Sequence, residues 1–153
     1  RNTVPLELNE GELRHRNNTS SELLLYGYIP LMLSAQCVRK NLFGCTGKCE
    51  TVYLKDRYNS EFPVKCCCTP WECSSLEKAK YCYNIIYNSI PYGLPGERER
   101  VEKLNLQSLR LAFTVEKPEE AREIFKEFQS VYQKNGKPSG RRYTKGHFKR
   151  GAE

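Results

Sequence analysis

Eight cysteines dominate the chemistry available to this chain: Cys37, Cys45, Cys49, Cys66, Cys67, Cys68, Cys73 and Cys82 all fall within positions 37–82 of 153 residues. Thiols at this density cross-link a small exported fold, hold zinc, or hold an iron–sulfur cluster. Cross-linking fits least well. No signal segment precedes the thiols, and the adjacent residues 66–68 do not meet the separation and torsion of a bridge to one another. Zinc sites usually carry two residues between paired cysteines, whereas Cys45 and Cys49 have three between them and Cys68 and Cys73 have four. An all-cysteine zinc site survives that mismatch. Iron–sulfur clusters tolerate irregular spacing, because each iron takes a thiolate from whichever loop reaches it. The residue types leave both metals open.

Other chemistries find less material. The chain has two histidines, His15 in a polar connection and His147 in a terminal segment, so neither a Ser-His-acid triad nor a Cys-His pair assembles. No glycine-rich phosphate loop appears. Glu7, Asn88 and Arg110 lie on or near predicted strand ends, where barrel enzymes place working groups. Their plainer reading is as buried, paired polar residues of a barrel interior.

The elements that must position these residues read as parallel α/β units. Val4, Leu6 and Leu8 share one face of a strand over Thr3–Leu8. The apolar run Leu23–Tyr28 suits a strand buried on both faces. Thr51–Asp56 and Glu61–Val64 predict a hairpin turning at Asn59-Ser60. Residues 66–82 show no periodicity. Tyr83–Asn88 predicts a third sheet strand, Glu97–Leu104 a short helix, and Ser108–Thr114 a fourth strand. Pro118 opens the last helix, and Ala121, Ile124, Phe125, Phe128, Val131 and Tyr132 recur on one face before Gly136 closes it. Four such strands, the first starting almost at Arg1, predict half of a barrel and a fragment of a longer protein. The corresponding domain reading is a barrel half over 1–135, with a cysteine-rich β-hairpin insertion at about 37–82 and a basic tail over 136–153.

That tail carries the charge asymmetry. The formal net charge is +7, and Lys or Arg stands at 134, 137, 141, 142, 145, 149 and 150 with no acid between them. Elsewhere basic and acidic residues balance. Such a segment either contacts phosphate, with Tyr143 and Phe148 available to stack on bases, or is a solvated terminus. No apolar run approaches the length of a membrane span, so no membrane partner is expected. Asn17-Asn18-Thr19-Ser20 contains two overlapping glycosylation triplets of low specificity.

Several stretches match a known pattern in order: Gly27-Tyr28-Ile29-Pro30-Leu31-Met32-Leu33-Ser34-Ala35-Gln36-Cys37, Leu54-Lys55-Asp56-Arg57, Phe62-Pro63-Val64, and Cys82-Tyr83-Asn84-Ile85-Ile86-Tyr87-Asn88-Ser89. Leu109-Arg110-Leu111-Ala112-Phe113-Thr114 and Gly146-His147-Phe148-Lys149-Arg150-Gly151 continue it. Together they resemble the peptidase U32 (collagenase-like protease) family over nearly the whole chain. The resemblance implies the C-terminal half of a TIM-type (β/α) barrel, with the N-terminal half upstream of Arg1, in a cytoplasmic protein. It further implies a 4Fe-4S cluster held by Cys37, Cys45, Cys68 and Cys82, and hydroxylation of an RNA base or a small aromatic ring. The third ligand stays open among residues 66–68, because the link Thr69–Tyr81 is longer than in the family and Cys49, Cys66, Cys67 and Cys73 are extra. Some relatives carry a cysteine where Pro30 stands, and proline cannot ligate. Two alternatives accompany this expectation: a peptidase acting on collagen-like chains, as the family name says, and a noncatalytic fragment with a structural four-cysteine zinc site.

Overall fold

A computed structural model describes residues 2–44, 47–71 and 79–150. In chain order the elements are β1 (Asn2–Thr3), α1 (Glu10–Arg14), β2 (Ser21–Gly27), β3 (Pro30–Ser34), α2 (Val38–Phe43), β4 (Glu50–Lys55), β5 (Glu61–Trp71), β6 (Ala79–Tyr87), β7 (Tyr92–Gly93), a 3-10 turn (Pro95–Glu97), α3 (Arg98–Glu102), β8 (Ser108–Ala112) and α4 (Pro118–Lys134). They divide into two compact units, one of residues 1–28 and 90–153 and one of residues 29–89.

The first unit is built on β2. Its apolar run Leu23–Tyr26 is buried throughout, as a strand flanked on both faces requires. β1 and β8 pair with it in parallel and β7 antiparallel. Tyr26 is fully buried among the rings of Phe113, Phe128 and Tyr143, and its hydroxyl donates to Glu116 Oε1 at 2.7 Å. α4 opens at Pro118 and buries Ile124, Phe128 and Val131. Asn135, in the left-handed region at φ 57°, ends it, and Gly136 N–H returns to the Ser130 carbonyl at 2.9 Å.

Residues 136–150 fold back onto this same unit instead of trailing from it. Thr144 exchanges backbone hydrogen bonds with Pro91 and Gly93, and Glu10 N–H donates to the Phe148 carbonyl at 2.8 Å. Phe148 is 2% exposed. The Tyr143 ring lies on Gly93, where a Cβ would come within 2.5 Å of it.

The second unit is an antiparallel sheet in the order β3-β6-β5-β4. The predicted hairpin is present, with Asn59 at φ 61° in its turn and Asp56 Oδ1 accepting from the N–H groups of Tyr58 and Ser60. Along β4 intermediate and exposed residues alternate. The apolar face gathers Val64, Cys66 and Cys37, with Val52, Leu54, Cys82 and Ile86 packed against them.

Four expectations change. The strand expected over Thr3–Leu8 shrinks to Asn2–Thr3, because Pro5 has no N–H to give a ladder and the chain turns, with Leu8 N–H on the Pro5 carbonyl at 3.4 Å. The aperiodic run from Cys66 is regular strand as far as Trp71, and β6 begins at Ala79. The segment after Tyr28 contributes β3 and α2, which its unpatterned sequence hid. Tyr83–Asn88 joins the antiparallel sheet, not the parallel one. The described residues are mixed α/β, with two sheets and four α-helices, and form no closed barrel.

Candidate thiol site

Strand alternation sorts the thiols. Cys66 and Cys68 project from one face of β5 and Cys67 from the other. The β5–β6 register sets Cys66 opposite Asn84, Cys67 opposite Tyr83 and Cys68 opposite Cys82. Directly paired residues share a face, so Cys66, Cys68, Cys82 and Asn84 stand together. Cys37 joins them: it packs against Cys66 and Val64. The opposite face carries Cys67 and Tyr83, with Tyr83 40% exposed.

Cys37 arrives on this face by local capping. It is the N-cap of α2, and its Sγ accepts the Lys40 N–H at 3.4 Å. Asn84, with no exposed surface, holds the entry to the helix. Its Nδ2 donates to the Gln36 carbonyl and its Oδ1 accepts the Val38 N–H at 3.4 Å. The two backbone groups flanking Cys37 are thus tied to one buried amide. Arg39 Nε meets Glu50 Oε2 at 3.0 Å and anchors α2 to the sheet.

The thiols form pairs. Cys68 Sγ and Cys82 Sγ lie 3.3 Å apart, and Cys66 meets Cys37. Burial pushes the Cys66 thiol up; the Arg39 backbone opposes this, and the adjoining Cys37 thiol reinforces it. On the other face, a hydrogen bond with Cys67 raises the Tyr83 phenol. Cys49, exposed, is held by the Cys68 backbone, whose N–H donates to its Sγ at 3.3 Å. Among the described residues, no three Cys, His, Asp or Glu side chains close around a single ion. Cys45 and Cys73 lie outside the described residues.

The remaining sequence candidates do not converge with the thiols. Glu7 is exposed in the turn after β1. Arg110 sits on β8 and pairs with Glu22 Oε1 at 3.5 Å. Asn88 follows β6 in the second unit, its N–H on the Ile29 carbonyl at 3.0 Å. Asn18, in the glycosylation triplets, is buried, with Nδ2 spent on the carbonyls of Leu13 and Leu104.

Three of the tail's seven cations, Arg141, Lys145 and Lys149, stand in ion pairs. Lys145 Nζ and Lys149 Nζ reach Glu97 Oε1 at 2.6 and 3.1 Å, and Arg100 Nε approaches Oε2 at 3.5 Å. Burial would raise the Glu97 carboxyl, but hydrogen bonds from Lys145 and Lys149 outweigh it and hold the group below the usual carboxylate range. Arg141 pairs with Glu123, and Tyr143 donates to Glu127 at 2.8 Å. Of the two aromatic side chains expected to stack on bases, Phe148 is buried and Tyr143 packs on Gly93.

Sequence reasoning passed over Asn84. Its signal was the period of two: Asn84 lies two residues beyond Cys82 on a strand and so shares the thiol's face.

No family model, curated protein or solved structure matches this chain.

Proposed function

We propose that the Cys66–Cys68–Cys82 face of the second unit, completed by Cys37, is a thiolate centre for an iron–sulfur cluster. The observation that carries this is the β5–β6 register, which gathers Cys66, Cys68 and Cys82 on one face, where Cys37 packs against Cys66, and turns Cys67 away. The donor chemistry fits, since cysteine thiolates are the ligands such clusters take. The spacing favours a cluster over one zinc ion. Residues two apart on a strand are separated by about 6.6 Å along it. Thiolates about 2.3 Å from a single zinc lie much closer together than that. A cluster of several irons offers separate points of attachment to the Cys37–Cys66 and Cys68–Cys82 pairs. Cys45 remains a candidate ligand through the family resemblance.

When bound, a cluster would supply electron transfer or a Lewis-acidic iron. The chain's own contribution is positional. Asn84 fixes Cys37, the ladder fixes Cys66, Cys68 and Cys82, and the apolar residues Val52, Val64 and Ile86 keep water from part of the face.

The U32 resemblance extends this reading to the C-terminal half of a barrel enzyme that hydroxylates an RNA base or a small aromatic substrate. The parallel trio β1-β2-β8 is compatible with a barrel segment. Arg141, Lys145 and Lys149 are engaged by carboxylates and Phe148 is buried, so these four side chains lend the RNA arm no independent support. The peptidase alternative rests on the family name.

The test is reconstitution with iron and sulfide under strict anoxia, followed by visible absorbance. Wild type and Cys67→Ser are expected to develop the charge-transfer band, and Cys82→Ser and Cys37→Ser to lose most of it. Equal bands in all four proteins, or none in wild type, would remove the thiol face from consideration.

A further inference from the structure

Among Cys66, Cys67 and Cys68, only Cys68 has a thiol directly across the ladder. Cys66 faces Asn84 and Cys67 faces Tyr83, whereas Cys68 faces Cys82. Opposed residues on antiparallel strands have Cα atoms about 4.5–5.5 Å apart, inside the range of about 4.4–6.8 Å that a disulfide spans. The two sulfurs already stand 3.3 Å apart, and both residues are only partly buried, which leaves them open to a small oxidant. The geometric objection to bridges between neighbouring cysteines does not apply across a ladder.

We infer that Cys68 and Cys82 are a modification site: a reversible cross-strand disulfide formed by exchange with a low-molecular-weight disulfide such as oxidised glutathione. The thiolate of one cysteine attacks the small disulfide, breaking its S–S bond, forming a mixed disulfide and releasing one small thiolate. The second cysteine, as its thiolate, then attacks the protein sulfur of the mixed disulfide. The Cys68–Cys82 bond forms and the second small thiolate leaves. The pair loses two protons and two electrons, and one small disulfide becomes two small thiols.

One consequence rests on the proposed thiolate centre: the disulfide withdraws two of the four thiols on the ligand face, so oxidation and cluster binding exclude each other. The bridge itself does not depend on that reading, because it needs only the metal-free chain.

The experiment treats the reduced, metal-free chain with oxidised glutathione, blocks remaining thiols, and maps cross-links by digestion and mass spectrometry without reductant. Trypsin cuts at Lys78 and Lys80 and so separates the two cysteines. The expected product joins the peptide holding residues 66–68 to the peptide holding Cys82. Reductant reverses it. Cys66→Ser and Cys67→Ser retain the link, and Cys68→Ser and Cys82→Ser abolish it, with circular dichroism confirming that each variant is folded. A link that survives in folded Cys68→Ser, a product joining Cys49 to the 66–68 peptide in place of Cys82, or no link while both thiols remain alkylatable would overturn the assignment. Cluster content is measured separately in the reduced wild type. A bridge in a chain that never binds iron would leave this inference standing and remove the centre.

Discussion

Asn84 ties down the chain on both sides of Cys37. It is fully buried, and its amide ties the Gln36 carbonyl and the Val38 N–H on either side of Cys37. Asn84→Ala removes both hydrogen bonds, each contributing about 0.5–1.5 kcal/mol of net stability. Urea denaturation should therefore show a loss of that order, and Cys37 should become more reactive toward alkylating agents as its loop loosens. The Cys66 thiol, raised chiefly by burial, should behave in the opposite sense. Iodoacetamide should label exposed Cys49 well before Cys66, and Cys66 labelling should keep rising with pH beyond the ordinary thiol value of about 8.5. Peptide-level mass spectrometry against pH reads both. Glu97 supplies a third case, since Lys145 and Lys149 hold its carboxyl low. The stability it contributes is complete above the unfolded value of about 4.3 and drains as pH falls toward the lower folded value. Glu97→Gln should flatten the acid limb of the stability–pH curve, measured by denaturant midpoints.

The segment after α4 shows how an element can escape its composition. Residues 136–150 read as a charged tail, yet they lay Phe148 into the core and Tyr143 onto Gly93. Phe148→Ala should cost about 3–5 kcal/mol, the range for truncating a buried aromatic, and Gly93→Ala should lower Tm by forcing a Cβ into the Tyr143 ring. A solvated tail would tolerate both changes. β2 and α4 were legible because their patterns are strong: an unbroken apolar run in one, a repeating apolar stripe opened by Pro118 in the other. The hairpin was legible from Asn59-Ser60. β5 was legible only to Val64, because Cys66-Cys67-Cys68 has no apolar–polar alternation even though its backbone continues the ladder. β3 was hidden for a different reason: Leu31, Met32 and Leu33 are all exposed, so no buried face marks the strand. The thiol site was therefore half legible. The cysteine types named its chemistry, but which of them share a face is a property of register, which single-chain spacing does not fix.

At the scale of the whole molecule, the chain carries two compact units of different character. One has a parallel core around β2 with a packed C-terminal segment. The other is an antiparallel sheet bearing Cys37, Cys66, Cys68 and Cys82 on one face. No described helix is long and apolar enough to cross a membrane. The proposed thiol chemistry belongs to the second unit, and the charge pairs around Glu97 serve stability. The proposal has the thiol face hold iron with inorganic sulfide. Iron and acid-labile sulfide should therefore be determined per chain in protein prepared and kept without oxygen. About four irons with a comparable amount of sulfide are expected, as a cubane cluster contains. Zinc as the sole retained metal, with no sulfide, would contradict it.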